Sequence, residues 1–243
     1  MALEVGMSSA DDRPEAAAGQ PEAAGQPEAA GLPEPMALAW QLASRKGWVD
    51  VDRAVLTTLT WVPCMPDFPE GEDRESWAAE SAALWWNVSG LQPEQGQVDL
   101  LASMLSAIHK DIYAAGHSHM AFIHLPDPRL LPLPVQLGIW AMQGDRDEQL
   151  RLLVNADDPA AVEKPILEEF TTDRLGTGLR CLRYRRGGED GSEIHGYLDY
   201  AWRSEEHETD LRLFTFSWGL DRLQRAISDI DELARAISVV PRT

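Results

Sequence analysis

A chain of 243 residues with 44% hydrophobic content can bury one large core or two small ones. Its formal net charge of −19 excludes the clustered Lys and Arg with which a protein neutralises nucleic acid or an anionic membrane surface. No apolar run approaches the roughly 20 residues of a bilayer span, and the N-terminus carries neither a basic n-region nor an apolar h-region, so the expected location is the cytoplasm.

Residues 1–35 read as an acidic tail. The unit Pro-Glu-Ala-Ala-Gly-Gln recurs from Pro14, Pro21 and Pro27, with one extra Ala in the first copy. It offers no large apolar side chain to bury, so it cannot repay its ordering entropy and is expected to be disordered. Residues 36–243 are expected to form a single α+β domain. Within it, residues 36–46 suggest a short helix, and residues 55–62, rich in β-branched side chains, suggest a strand ending at Pro63. An acidic, Pro-rich loop follows. Asp73 can cap a helix over 74–88 with Trp77, Ser81, Leu84, Trp85 and Val88 on its apolar face. Val98, Leu101, Leu105, Ile108 and Ile112 step by three and four, which predicts a helix over 98–115.

Strands are expected at 119–125 and 135–142, separated by a Pro-rich loop, then at 150–154 and 166–172. Three further runs, 178–184, 194–202 and 210–217, lead into one long amphipathic helix over 219–239. That helix places Leu220, Leu223, Ile227, Ile230, Leu233 and Ile237 on one stripe. Between residues 210 and 218 both alternating sets contain apolar side chains, which suits a central strand covered on both sides. The fold class is therefore α+β: a predominantly antiparallel sheet covered by helices on both faces, closed by a long C-terminal amphipathic helix. The order of elements over about 120–240, above all the meander ending at 210–217 and the helix ending at 233–240, resembles the PsbP-like α/β/α sandwich. That layout is known from photosystem subunits, a Ran-binding import factor and many actinobacterial proteins. The resemblance implies a binding module rather than an enzyme. The bias to Arg over Lys, with abundant Ala, Gly and Pro, suits a bacterial genome of high GC content.

Chemistry-bearing motifs are sparse. Cys64 and Cys181 belong to no metal-ligand or redox spacing; a disulfide between them is open to the sequence, and two buried free thiols are the favoured expectation in a reducing compartment. His117 and His119 share one face of an extended strand, as two zinc ligands would, while His124 has the opposite parity. They supply an alternative reading as a metal-dependent hydrolase, although surface histidines explain them more simply and no metal or other cofactor is expected. No GxSxG elbow is present, and Gly176-Thr177-Gly178 precedes a strand instead of opening a helix.

One segment departs from the acidic background. Arg174, Arg180, Arg183, Arg185 and Arg186 fall in a 13-residue window without a single acid. Alternation puts Arg183 and Arg185 on one face, and Arg180 and Arg186 on the other. Arg180, Arg183, Arg185 and Arg186 are therefore candidate contacts for an acidic protein partner, or for the chain's own Glu-bearing tail. The competing structural reading pairs them with strand acids such as Glu193 and Asp199. Among nine Trp, Trp77 and Trp85 read as core, while Trp48 and Trp86 could anchor a partner if exposed. The leading function is a non-catalytic protein-binding or adaptor module.

Overall fold

A computed structural model describes residues 47–56, 58, 60–68, 71–114, 120–188 and 190–241, the side chains of 47, 48 and 241 excepted. The repeat tail, the helix expected over 36–46, and His117 and His119 lie outside the described residues.

In chain order the elements are β1 (Gly47–Val51), α1 (Arg53–Leu56), β2 (Trp61–Cys64), α2 (Arg74–Val88), α3 (Gln97–Ala114), β3 (Met120–His124) and β4 (Leu133–Ala141). They continue with α4 (Arg146–Leu153), β5 (Ile166–Thr172), β6 (Gly176–Gly187), β7 (Glu193–Ser204), β8 (Thr209–Ser217), α5 (Leu220–Ala236) and β9 (Ile237–Pro241). Seven strands form one antiparallel sheet in the order β2-β3-β4-β8-β7-β6-β5, and β1 pairs with β9 in a separate ribbon. Two meanders meet at the centre, where β4 runs against β8 with Leu137 opposite Leu213.

One sheet face packs beneath α5. Phe122, Leu137, Leu198, Tyr200, Trp202, Leu211 and Leu213 meet Leu223, Ala226, Ile230 and Leu233 in the largest cluster. On the opposite face, α2 and α3 cover Val62, Cys64, Ala121 and Ile123. The short helix α4 covers Cys181 and Ala201 through Leu150 and Leu153. Helices thus lie on both faces, as the periodicity predicts.

Four local expectations are corrected. Residues 150–154 are not a strand: Asp145 accepts hydrogen bonds from Asp147 N and Glu148 N and starts α4 at Arg146, since a short apolar run cannot separate strand from helix. The strand expected over 55–62 is split into the turn α1 and the edge strand β2, which tolerates Pro63 because an edge position needs no second ladder donor. The closing helix stops at Ala236, and the β-branched run from Ile237 becomes β9, paired with β1. The buried face of α2 is rotated: Ala78, Ala82, Trp85 and Trp86 point inward, while Leu84 is 51% and Val88 39% exposed. Trp86 is therefore core, and Trp85 donates from Nε1 to the Leu125 carbonyl at 2.7 Å.

Candidate functional site

The arginine window forms most of β6, the longest run of residues between β5 and β7, and alternation sorts its cations as the sequence indicates. On the α5 face, Arg180 reaches Glu168 at 2.8 Å and Asp231 at 3.4 Å. Asp231 also accepts the hydroxyl of Tyr200, whose proton is held well above the usual phenol range by burial and by that negative charge. Arg186, on the same face, is exposed near the β6–β7 turn and donates to the Gly191 carbonyl at 3.4 Å.

The other face carries a connected network. Arg183, 4% exposed, is ion-paired to Asp199 on β7 and, at 3.0 Å, to Asp158 from the loop after α4. Arg185 shares Asp158 at 3.2 Å. Asp199 also holds Arg212 of β8, whose Nη2 lies 2.6 Å from the carboxylate. Asn155 adopts a left-handed backbone (φ 51°), which Asn tolerates well, and its amide oxygen accepts from Arg212 at 3.0 Å and Arg183 at 3.3 Å. Three guanidinium groups thus surround two carboxylates, leaving one formal positive charge in a strongly acidic molecule.

Aromatic rings extend this network across the sheet. Arg183 and Arg185 sit 4.7 and 5.8 Å from the centroid of Tyr197, and Arg212 sits 4.5 Å from Phe214. Tyr197 lies opposite Phe216 in the β7–β8 register and stacks on it at 5.8 Å and 23°. Phe216 meets Trp218 edge-on at 5.2 Å, and His195 meets Trp218 at 6.1 Å. None of Tyr197, Phe214 and Phe216 belongs to a buried cluster, and each is partly exposed. Trp218 is 63% exposed. The expectation that both faces of β8 are covered fails here: α4 stops at the level of Ala201, and α2 and α3 cover β2 and β3. Among the described residues, no helix covers the arginine–aromatic platform on the sheet between them.

Of the proposed contact residues, Arg183 and Arg185 come together on this platform, while Arg180 and Arg186 face the other way. The structural alternative is right about Asp199, but Glu193 pairs with His195 instead, at 3.1 Å. Sequence reasoning missed Asn155, Asp158, Arg212, Phe214, Phe216 and Trp218. A signal existed: an Arg at 212 within a row assigned to burial is a charge that such a face would have to neutralise. His124 is buried against α5, with Nε2–H donating to Asp229 at 2.7 Å and Nδ1 accepting from Arg222 at 2.8 Å. Among the described residues, no group of three or more His, Cys, Asp or Glu is placed to hold a metal ion.

No protein-family model matches the chain, and no curated protein matches it. Among solved structures it is similar to LpqN of Mycobacterium tuberculosis, a protein involved in cell envelope biogenesis. There the TM-score is 0.40 at 8% identity, over 51% of this chain and 72% of that one. It is also similar to the cyanobacterial PsbP, CyanoP, of Synechocystis, with a TM-score of 0.33 at 9% identity over 80% of this chain and 93% of that one. The second of these carries the PsbP-like layout suggested by the order of elements. Both are similarities of fold alone.

Proposed function

We propose that the chain is a non-catalytic protein-binding module that contacts an acidic partner through the platform formed by Arg185, Tyr197, Phe214, Phe216 and Trp218. One observation carries this reading: Trp218 is 63% exposed at the end of a continuous ladder of rings and guanidinium groups. An exposed Trp beside Arg is the side-chain pairing that concentrates binding energy at protein interfaces. The ion pairs hold Arg183 and Arg212 rigidly beneath the rings, so little ordering cost remains at contact. Arg185, with a quarter of its side chain exposed, supplies the accessible charge. The module works in a reducing compartment such as the cytoplasm, a reading supported by two buried free thiols.

The test is capture of partners by the full chain and by Trp218→Ala and Arg185→Gln variants, the second removing the charge without setting a new acid against Asp158. Each variant should lose capture by on the order of tenfold or more while keeping its circular dichroism spectrum. Unchanged capture in both variants removes the platform as the contact. Arg183→Glu is unsuitable, because it places a third acid against buried Asp158 and Asp199 and attacks the fold.

A further inference from the structure

Resting on the platform as the binding surface, we infer that its ligand class is an extended acidic peptide containing Pro-Glu pairs, and that the chain's own repeat, residues 14–32, docks there in cis. The platform has the two features such a peptide needs. Half-buried and exposed rings of Tyr197, Phe216 and Trp218 give flat surfaces for pyrrolidine rings, as in proteins that read proline-rich segments. Arg185 stands beside Tyr197 as the cation for a carboxylate. In the repeat, Pro14-Glu15, Pro21-Glu22 and Pro27-Glu28 place a ring next to an acid each time. In the extended left-handed form favoured by proline, three residues make a turn. The six-residue step from Pro21 to Pro27 therefore returns Pro to one edge and Glu to a neighbouring one, with about 19 Å between units. A single unit meets the row Arg185–Tyr197–Phe216, which crosses three strands, or about 10 Å.

Charge favours the contact. Residues 1–35 contain seven acids and one Arg, whereas the platform network carries one formal positive charge. Reach allows it. The described chain begins at Gly47 in β1, whose partner β9 directly follows α5. The path from Gly47 along β9 and the 17 residues of α5 to Trp218 is at most about 50 Å. The 15 residues from Leu32 to Gly47 span about 50 Å when extended, and the Pro21 unit has 11 residues more with which to round the sheet edge. A tether of this kind gives an effective concentration on the order of 1 mM, enough to half-fill a site that binds the free peptide with a Kd of similar size. The docked repeat then competes with an acidic partner, so the tail regulates the site it occupies.

The decisive experiment uses the full chain with a nitroxide at Ala24→Cys, since buried Cys64 and Cys181 do not take the label. The amides of 195–197 and 214–218, and the Trp218 indole, should lose roughly half or more of their NMR intensity, as a half-occupied site requires. Exposed β5 amides on the sheet edge should not. The loss should vanish with Arg185→Gln, and with Glu15→Lys, Glu22→Lys and Glu28→Lys combined. The same tail reversal should raise partner capture by about twofold, the free fraction rising from one half to one. Broadening spread evenly over exposed amides, or unchanged by tail reversal, overturns cis docking. If capture then still depends on Trp218 and Arg185, the binding surface stands without the tail; if capture ignores them as well, both readings fall.

Discussion

Asp199 is the residue on which the polar face of the sheet turns. It is 1% exposed and ion-paired to both Arg183 and Arg212, so its removal strands two guanidinium groups in a largely dry setting. Breaking a buried pair in this way costs about 3–5 kcal/mol, and Asp199→Ala should lower the free energy of urea unfolding by that amount. Asn155 and Asp158 still hold Arg183, which sets the lower end of that range. His124 makes the opposite case. Burial lowers its pKa below the ordinary value of 6.5, and the hydrogen bond from its ring to Asp229 pulls the other way without prevailing. The native state therefore binds fewer protons than the unfolded chain as pH falls below 6.5. The contribution to stability is full above that value and is lost as pH drops through it. An NMR titration of the ring should show a midpoint below 6.5, and a midpoint above it would contradict the burial argument.

Elements are decided by a few positions each. Position 178 in β6 requires Gly because a Cβ there would stand 2.2 Å from the Ala201 carbonyl oxygen, a backbone atom that cannot step aside. Gly178→Ala should destabilise the fold by about 1–3 kcal/mol, visible as a lower urea midpoint with an unchanged slope. The helix α5 holds its sheet face through Leu223, Ile230 and Leu233. Period 3.6 shows plainly in the sequence there, and so does the cap potential of Asp73 at the start of α2, whereas the Asp145 cap emerges only in the structure. The end of α5 does not: Ile237 satisfies the helical stripe and a β-strand equally, and only pairing with β1 decides for the strand. The same ambiguity hides α4 within four apolar residues. In α2 the two adjacent Trp, 85 and 86, cannot both lie on an idealised stripe, and both become buried because small Ala78 and Ala82 let the helix approach closely.

At the scale of the whole molecule, Cys64 lies on β2 and Cys181 on β6, five strand steps apart, or about 24 Å. No disulfide can join them, and burial raises the thiols to about 12 and about 11 respectively. Neither should react with a thiol reagent until the chain unfolds, when both should react together; a fast-reacting thiol in the native protein would show that one helix layer opens by itself.

Amphipathic periods, turn residues and the absence of a basic surface determine by themselves an acidic α+β chain with an antiparallel meander, a closing helix and a cluster of arginines on one strand. These are properties of local spacing, and local spacing is written in the chain. Which arginine is buried and which is reachable was decided by tertiary structure alone. Arg183 and Arg185 share one face, yet Asp158 and Asn155 arrive from a loop after α4 and Asp199 from the neighbouring strand. The exposure of Trp218 was decided in the same way, by where α4 ends and where α2 and α3 stop. A strand's alternation says which side chains share a face; only the elements packed above that face determine whether it becomes core or a surface for a partner.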